Sequence, residues 1–417
     1  MRKVKAFCVA TLLFCCFAAG LHAICVSTGL QAKDHRFGTW DNRYKDLSYN
    51  GLRMNITKKT MVVFGSSEFR HGKNTAYHPR NIFAHSNVRL MTIGGPFNQT
   101  LFHTVALGAT SDQIKSKKVV LLVSPTWFAG KGVKSKAYAL RFSKTEYMAF
   151  MEDPKIPVDV KRYVARRSEK LLAHDPKLSH FVKNCNAVNL GKNPKLYQRL
   201  LYLSSKRYAT DTDYITMRMA MTFMADRNTH NRTVEKVLGP LREKARMQMY
   251  QGLRRKGVVT SKDLKQFMAR KKVWQQVRKA SQKRSNNAFY MSNRMWRSKY
   301  ARLAPKMAGA HAHATWEKTS EYDDLRAFLK ICRARGIKPM LLVLPVNGYW
   351  YDYTGMTADK RDVVNRRVKA MAAAYGAKYV SLSKYDYRPY ITTDAVHPWN
   401  EGWFQIDQKI NAYYQQN

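Results

Sequence analysis

Acidic residues are scarce in this chain: 28 Asp and Glu stand against 74 Lys and Arg in 417 residues, a formal charge of +46. The imbalance runs along the whole sequence rather than gathering in a tail. It says nothing about fold, but a folded surface of this sign attracts polyanions: nucleic acid, anionic lipid or another phosphate polymer. Cysteine is scarce too. Four of the six (Cys8, Cys15, Cys16 and Cys25) fall near the N-terminus, leaving Cys185 and Cys332 for the rest. There is no Cys-x-x-Cys and no Cys/His cluster at zinc spacing. That excludes a disulfide scaffold and gives no ground for a metal or other cofactor. A Cys185–Cys332 bond and two free thiols stay equally open. Internal repeats are lacking as well. Apolar material is not: 45% of residues are hydrophobic and 12% aromatic, which rules out global disorder. The length allows one large domain or two to three ordinary ones.

Arg2, Lys3 and Lys5 precede a stretch, 6–32, without Lys, Arg, Asp or Glu. Its most apolar part, 6–26, is long enough to cross a hydrocarbon core as one helix. The small residues Ala18 and Gly20 offer a cleavage site, but no lipobox reads cleanly, since Phe14 and Ile24 precede Cys15 and Cys25. The expectation is an uncleaved signal anchor at 1–32 with its N-terminus inside and the remaining chain outside the cell membrane. Nucleic acid is then a poor candidate for the polyanion.

Residues 33–57 are polar with no sustained periodicity and read as a connector. From 58 to 417 the pattern is that of an extracytoplasmic domain. Met61–Phe64, 88–93 and 119–123 are short apolar runs stopped by turn residues, as buried parallel strands are. Residues 100–107 have helical spacing and end at Gly108. Later, Leu325, Phe328, Leu329 and Cys332 mark one helix face, followed by Gly336 and a strand at 340–344. Val364, Val368, Met371 and Tyr375 mark another, followed by Gly376 and a strand at 379–382. Helix–Gly–strand units imply an α/β sheet wound on both faces. Between the halves, at about 142–314, strand signals vanish and a helical insertion is expected. Within it, residues 241–300 set 18 Lys and Arg against Glu243 and Asp263. Self-repulsion on that scale is relieved by a nearby polyanion.

Three local features carry chemistry. Gly65-Ser66-Ser67-Glu68 follows the first strand, and a hydroxyl on such a turn projects from the C-terminal edge of the sheet. Asp394-Ala395-Val396-His397 follows the last strand. An Asp three residues before a His can accept the imidazole Nδ1–H and leave Nε2 to take a serine proton. Gly94-Gly95, with Asn98 and Gln99 just beyond, can bring backbone and side-chain amides to an oxyanion. Parallel strands bring all three to one edge. Trp127, Trp350, Trp399 and Trp403 are read as core in preference to a ligand platform.

Together these residues resemble the SGNH/GDSL-type serine esterases and acyltransferases. The segments VFGSSEF, YHPRNIF, GGPFNQTLFH, KKVVLLVSPTWF, LPVNGYWYDYTG and DAVHPWNEGW, in this order, resemble one branch, the DltD family of Gram-positive bacteria. The resemblance implies an SGNH-like three-layer α/β/α fold behind a transmembrane helix. It implies D-alanylation of lipoteichoic acid, with teichoic acid, the membrane, a membrane acyltransferase and a D-alanyl carrier protein as partners. It assigns Ser67 as nucleophile, His397 as base and Asp394 as its orienting carboxylate. Ser66 is the competing nucleophile, and Gly95, Gln99 and Asn98 form the oxyanion and substrate side. One departure stands out: the family tends to read Ser-Pro-Gln-Trp where this chain has Ser124-Pro125-Thr126-Trp127. Hydrolysis on the same triad and a non-enzymatic scaffold that binds teichoic acid are the alternative readings.

Overall fold

The structure is a computed structural model that describes residues 2–30, 33, 35–72, 75–83, 86–226 and 259–416. Five strands form one parallel sheet: β1 (Met61–Phe64), β2 (Leu90–Ile93), β3 (Lys118–Val123), β4 (Lys338–Val343) and β5 (Lys378–Ser381). Their order is β2-β1-β3-β4-β5. The chain therefore steps from β1 to one side, then returns past β1 to β3 on the other. That reversal opens a crevice at the carboxyl ends of β1 and β3, where α/β sheets place their ligands.

Alternation along each strand splits the core in two. Val62, Phe64, Leu121, Val123, Leu341 and Val343 face one cluster, with the helices Thr100–Thr110, Lys144–Glu152 and Glu321–Ala334. Met61, Val63, Val120, Leu122, Met340 and Leu342 face the other, with Ser261–Met268, Lys271–Gln282 and Asn400–Gln415. This is the α/β/α arrangement expected from the sequence. The apolar face Leu325, Phe328, Leu329 and Cys332 is buried throughout. The helix expected to stop at Gly108 instead runs on to Thr110. Gly108 is there for packing, since a Cβ on it would lie 2.2 Å from the Phe150 ring.

Residues 33–57, expected as a connector, hold two short helices, Arg43–Asp46 and Tyr49–Asn55, and bury Phe37, Leu52 and Ile56 in the first core cluster. The interval 142–314 is mainly helical where it is described, with loops such as 283–292 between helices, and 227–258 of it, including the basic stretch 241–258, lie outside the described residues. Cys185 and Cys332 are both buried free thiols. Arg2–Leu30 is one helix, long and apolar enough to cross a membrane. It packs alongside the helix Leu196–Asp226: Arg207 donates to the Ala18 carbonyl at 3.4 Å, and His22 Nδ1 lies 2.5 Å from Asp211. Beside these contacts the second helix leaves Leu196, Tyr197, Leu200 and Leu203 exposed.

Candidate active site

β1 ends in Phe64, and the backbone turns at Gly65 and Ser66 into a single 3-10 turn, Ser67–Arg70. The half-buried Ser67 hydroxyl lies 2.8 Å from His397 Nε2, a partner 330 residues away. On the far side of the ring, His397 Nδ1 lies 2.7 Å from Asp394 Oδ2. A carboxylate there keeps the proton on Nδ1, so Nε2 presents a lone pair to the Ser67 O–H. Asp394 Oδ1 also accepts the backbone N–H groups of Val396 and His397, each at 2.9 Å. Burial works to raise this carboxyl, but the His397 bond and the two backbone donors outweigh it and hold it below its ordinary value.

The loop carrying Asp394 and His397 is braced by the helical insertion. Ser292 N–H donates to the Thr393 carbonyl at 2.9 Å, and Thr393 Oγ1 donates to Ser292 Oγ at 3.0 Å. Asn347, just after β4, donates its N–H to the Ala395 carbonyl at 2.9 Å. The insertion is thus part of the scaffold that presents the histidine.

Ser66 faces elsewhere. It is buried, its hydroxyl donates to the Gly95 carbonyl at 3.3 Å, and its N–H donates to Glu68 Oε1 at 2.6 Å. Burial raises the Glu68 carboxyl from 4.5 to about 7, against the pull of backbone N–H groups and His397. A carboxyl whose value is raised on folding stabilises the fold at low pH, and that contribution is lost as pH rises from about 4.5 to about 7. Glu68→Gln should remove this slope, on the order of 3 kcal/mol at most. Urea midpoints of both proteins at about pH 5 and about pH 8 check it. Parallel pH profiles would show that Glu68 is not held neutral.

Gly94 and Gly95 follow β2 directly behind this turn. Gly94 has φ 146°, and a Cβ there would lie 1.9 Å from the Gly65 carbonyl, so only glycine lets the two turns touch. The Gly95 N–H is already engaged, donating to Asn98 Oδ1 at 3.3 Å. The same oxygen accepts from Arg141 Nε at 2.7 Å. With Oδ1 occupied twice, Asn98 has its Nδ2 amide left as the donor end. Gln99 begins the helix Thr100–Thr110 without a side-chain cap, and its buried Oε1 has no partner among the described residues.

Arg141 is the support beneath. It is buried, and its Nη2 donates to Asp46 Oδ2 at 3.0 Å. Lys45, also buried, lies 3.7 Å from Asp46 and donates to the Thr92 carbonyl at the end of β2. Breaking one partner of a buried pair strands the other, so Arg141→Ala is expected to cost about 3–5 kcal/mol. Urea unfolding would register it, and a loss under about 1 kcal/mol would contradict the buried-pair reading.

His71 stacks on His397, ring centroids 3.5 Å apart and planes 5° from parallel. Burial, then the charges of His397, Arg294 and Lys299, lower its value from 6.5 to about 4, with Asp394 opposing. His71 is therefore the neutral ring of the pair. Ligand atoms of His71, Asp394 and His397 lie within 4.8 Å of one another, the one such set among the described residues. An ion there would compete for the His397 nitrogens that face Ser67 and Asp394.

The family profile described as DltD protein matches residues 39–415. The chain belongs to the DltD family. It is 25% identical over 363 residues to Protein DltD of Bacillus subtilis (strain 168), covering 85% of this chain and 82% of that one. Protein DltD of Staphylococcus aureus (strain NCTC 8325 / PS 47) is 22% identical over 356 residues, 85% and 81% of the two chains. That of Lacticaseibacillus rhamnosus is 22% identical over 361 residues, 86% and 78%.

Against the DltD pattern, the Thr126 departure has a local consequence: its hydroxyl lies 2.9 Å from Ser124 Oγ, so it turns back on its own loop. The four tryptophans are buried. Trp403 Nε1–H donates to the His71 carbonyl at 2.9 Å, fixing the backbone of the stacked ring. His71 and Arg141 escape sequence reasoning. Neither sits in a motif that marks it, although His71 is only four residues beyond Ser67.

Proposed function

We propose that this DltD-family chain transfers D-alanyl groups to teichoic acid through an ester on Ser67, at the outer face of the membrane. The observation that carries the proposal is the Ser67–His397–Asp394 line, at 2.8 and 2.7 Å, on a half-buried serine. The family's association with D-alanylation supplies the acyl group, delivered across the membrane by an acyltransferase fed by a D-alanyl carrier protein. The helix Arg2–Leu30 anchors the chain, with Arg2, Lys3 and Lys5 inside.

His397 Nε2 takes the Ser67 proton as Oγ attacks the D-alanyl carbonyl carbon, and Asp394 holds the resulting imidazolium. The tetrahedral oxyanion lies toward the Ser67 N–H and the Asn98 amide, with Gly95 allowing the approach. Collapse breaks the bond to the donor, whose leaving group takes the proton from His397. A polyol hydroxyl then enters, gives its proton to His397 and attacks the seryl ester. Ser67 is released with its proton restored, and the D-alanyl ester now sits on the polymer.

Mass spectrometry of the full chain, supplied with its D-alanyl donor and no acceptor, should find one D-alanyl group on the peptide containing Ser67. Adding a glycerol-phosphate oligomer should discharge it onto the oligomer. Discharge to free D-alanine with acceptor present would make the protein a hydrolase, and a chain that is never acylated would make it a scaffold.

A further inference from the structure

Beside the triad, on the His71 side, a cleft of about 720 Å³ opens among Arg70, His71, Arg284, Arg294 and Trp399. Its cations differ in their commitments. Arg70 lies 3.2 Å from Asp41. Arg284 and Arg294 are exposed, and neither side chain has a hydrogen-bonding or ion-pairing partner among the described residues. Two unpaired guanidiniums converging on one cleft ask for an anion with several oxygens, and the planar fork of arginine suits phosphate.

Position decides which phosphate. His71 is both a wall of the cleft and the ring stacked 3.5 Å from His397. The His71 ring thus lies between the cleft and the base. In a polyol phosphate the free hydroxyl and the phosphodiester are only a few bonds apart. A phosphate held by the two arginines therefore leaves the neighbouring hydroxyl within reach of His397. The neutral state of His71 suits this, since it can hydrogen-bond the acceptor without adding charge against the His397 imidazolium.

The surroundings favour a repeating anion over a single headgroup. From 264 to 316 the sequence contains no Asp or Glu. Leading away from the cleft, the helical segment that begins at Asn293 exposes Arg294, Arg297, Lys299, Arg302 and Lys306 in succession. A row of cations without intervening carboxylates gives successive phosphates a track.

We infer that this cleft is the acceptor subsite, with Arg284 and Arg294 gripping a phosphodiester of a polyol-phosphate polymer so that the adjacent hydroxyl faces His397. The assignment rests on the acyl-transfer reading above. Calorimetry on full-length Ser67→Ala protein in neutral detergent tests the cleft without chemistry, using a short glycerol-phosphate oligomer as probe. Binding should appear, weaken as salt is raised, and fall roughly ten- to a hundredfold in the Arg284→Ala/Arg294→Ala background. In the protein with Ser67 restored, the same double variant should raise acceptor KM by a similar factor, while fluorophosphonate labelling of Ser67 reports whether the triad is assembled. Unchanged oligomer binding in the double variant overturns the assignment. So does loss of labelling together with transfer, which would give the arginines a structural role. Binding of phosphatidylglycerol-doped micelles but not of the oligomer would make the cleft a lipid-headgroup site and likewise overturn it. A protein that binds the oligomer through these arginines yet transfers nothing sinks the acyl-transfer reading and leaves the cleft standing.

Discussion

Ser67→Ala is expected to abolish D-alanyl incorporation into polymer and labelling by a fluorophosphonate, a fall on the order of 10⁴- to 10⁶-fold in turnover. The size follows from the absence of a substitute. The adjacent hydroxyl, Ser66, is buried, donates to the Gly95 carbonyl and has its backbone N–H tied to Glu68. It cannot swing to His397 without unmaking the contact between the two turns. Ser66→Ala should therefore retain turnover to within about tenfold, since it removes only one weak neutral hydrogen bond. The comparison of the two alanine variants, both checked for folding by urea denaturation, assigns the nucleophile. If Ser67→Ala protein still esterifies polymer, or if Ser66→Ala is the dead one, the assignment fails.

Asp394→Asn should be almost as damaging with the fold intact, at about 10³- to 10⁴-fold in kcat. The direction comes from the hydrogen bonds. Oδ1 accepts the N–H groups of Val396 and His397, and an asparagine oxygen would stay on those two donors. Its NH₂ would then occupy the place of Oδ2 and face His397 Nδ1. A donor there moves the ring proton to Nε2, the atom that has to accept from Ser67. Urea stability within about 1 kcal/mol of the parent, together with slow acylation of Ser67, is the expected pair of results. Wild-type rates of acylation in Asp394→Asn would show that the carboxylate does not select the tautomer.

Much of the frame was legible because it is local. Each strand is a short apolar run with a turn residue at its end, and Met61–Phe64 matches residue for residue. The Ser and Asp-x-x-His segments were legible for the same reason. Their meeting depends on a strand order that pairs β1 with both β2 and β3, which no local pattern encodes. The packing of segment 33–57 was not legible because helices of four and seven residues are too short to establish a period. Arg141 was hidden by composition, being one cation among 74 in a chain where an unmarked arginine is best read as surface. The Gly95 amide was expected to face the oxyanion, and only the fold reveals that Asn98 Oδ1 already occupies it.

The distance of 330 residues between Ser67 and His397 also orders events in time. Synthesis at about 5–20 residues per second delivers the histidine roughly twenty seconds to a minute after the serine. Throughout that interval the nascent chain carries a hydroxyl with no base beside it, and every truncation ending before His397 stays in that state. The pairing of Ser67 with His397 therefore waits on translation of nearly all of the chain, with the helix Asn400–Gln415 still to follow.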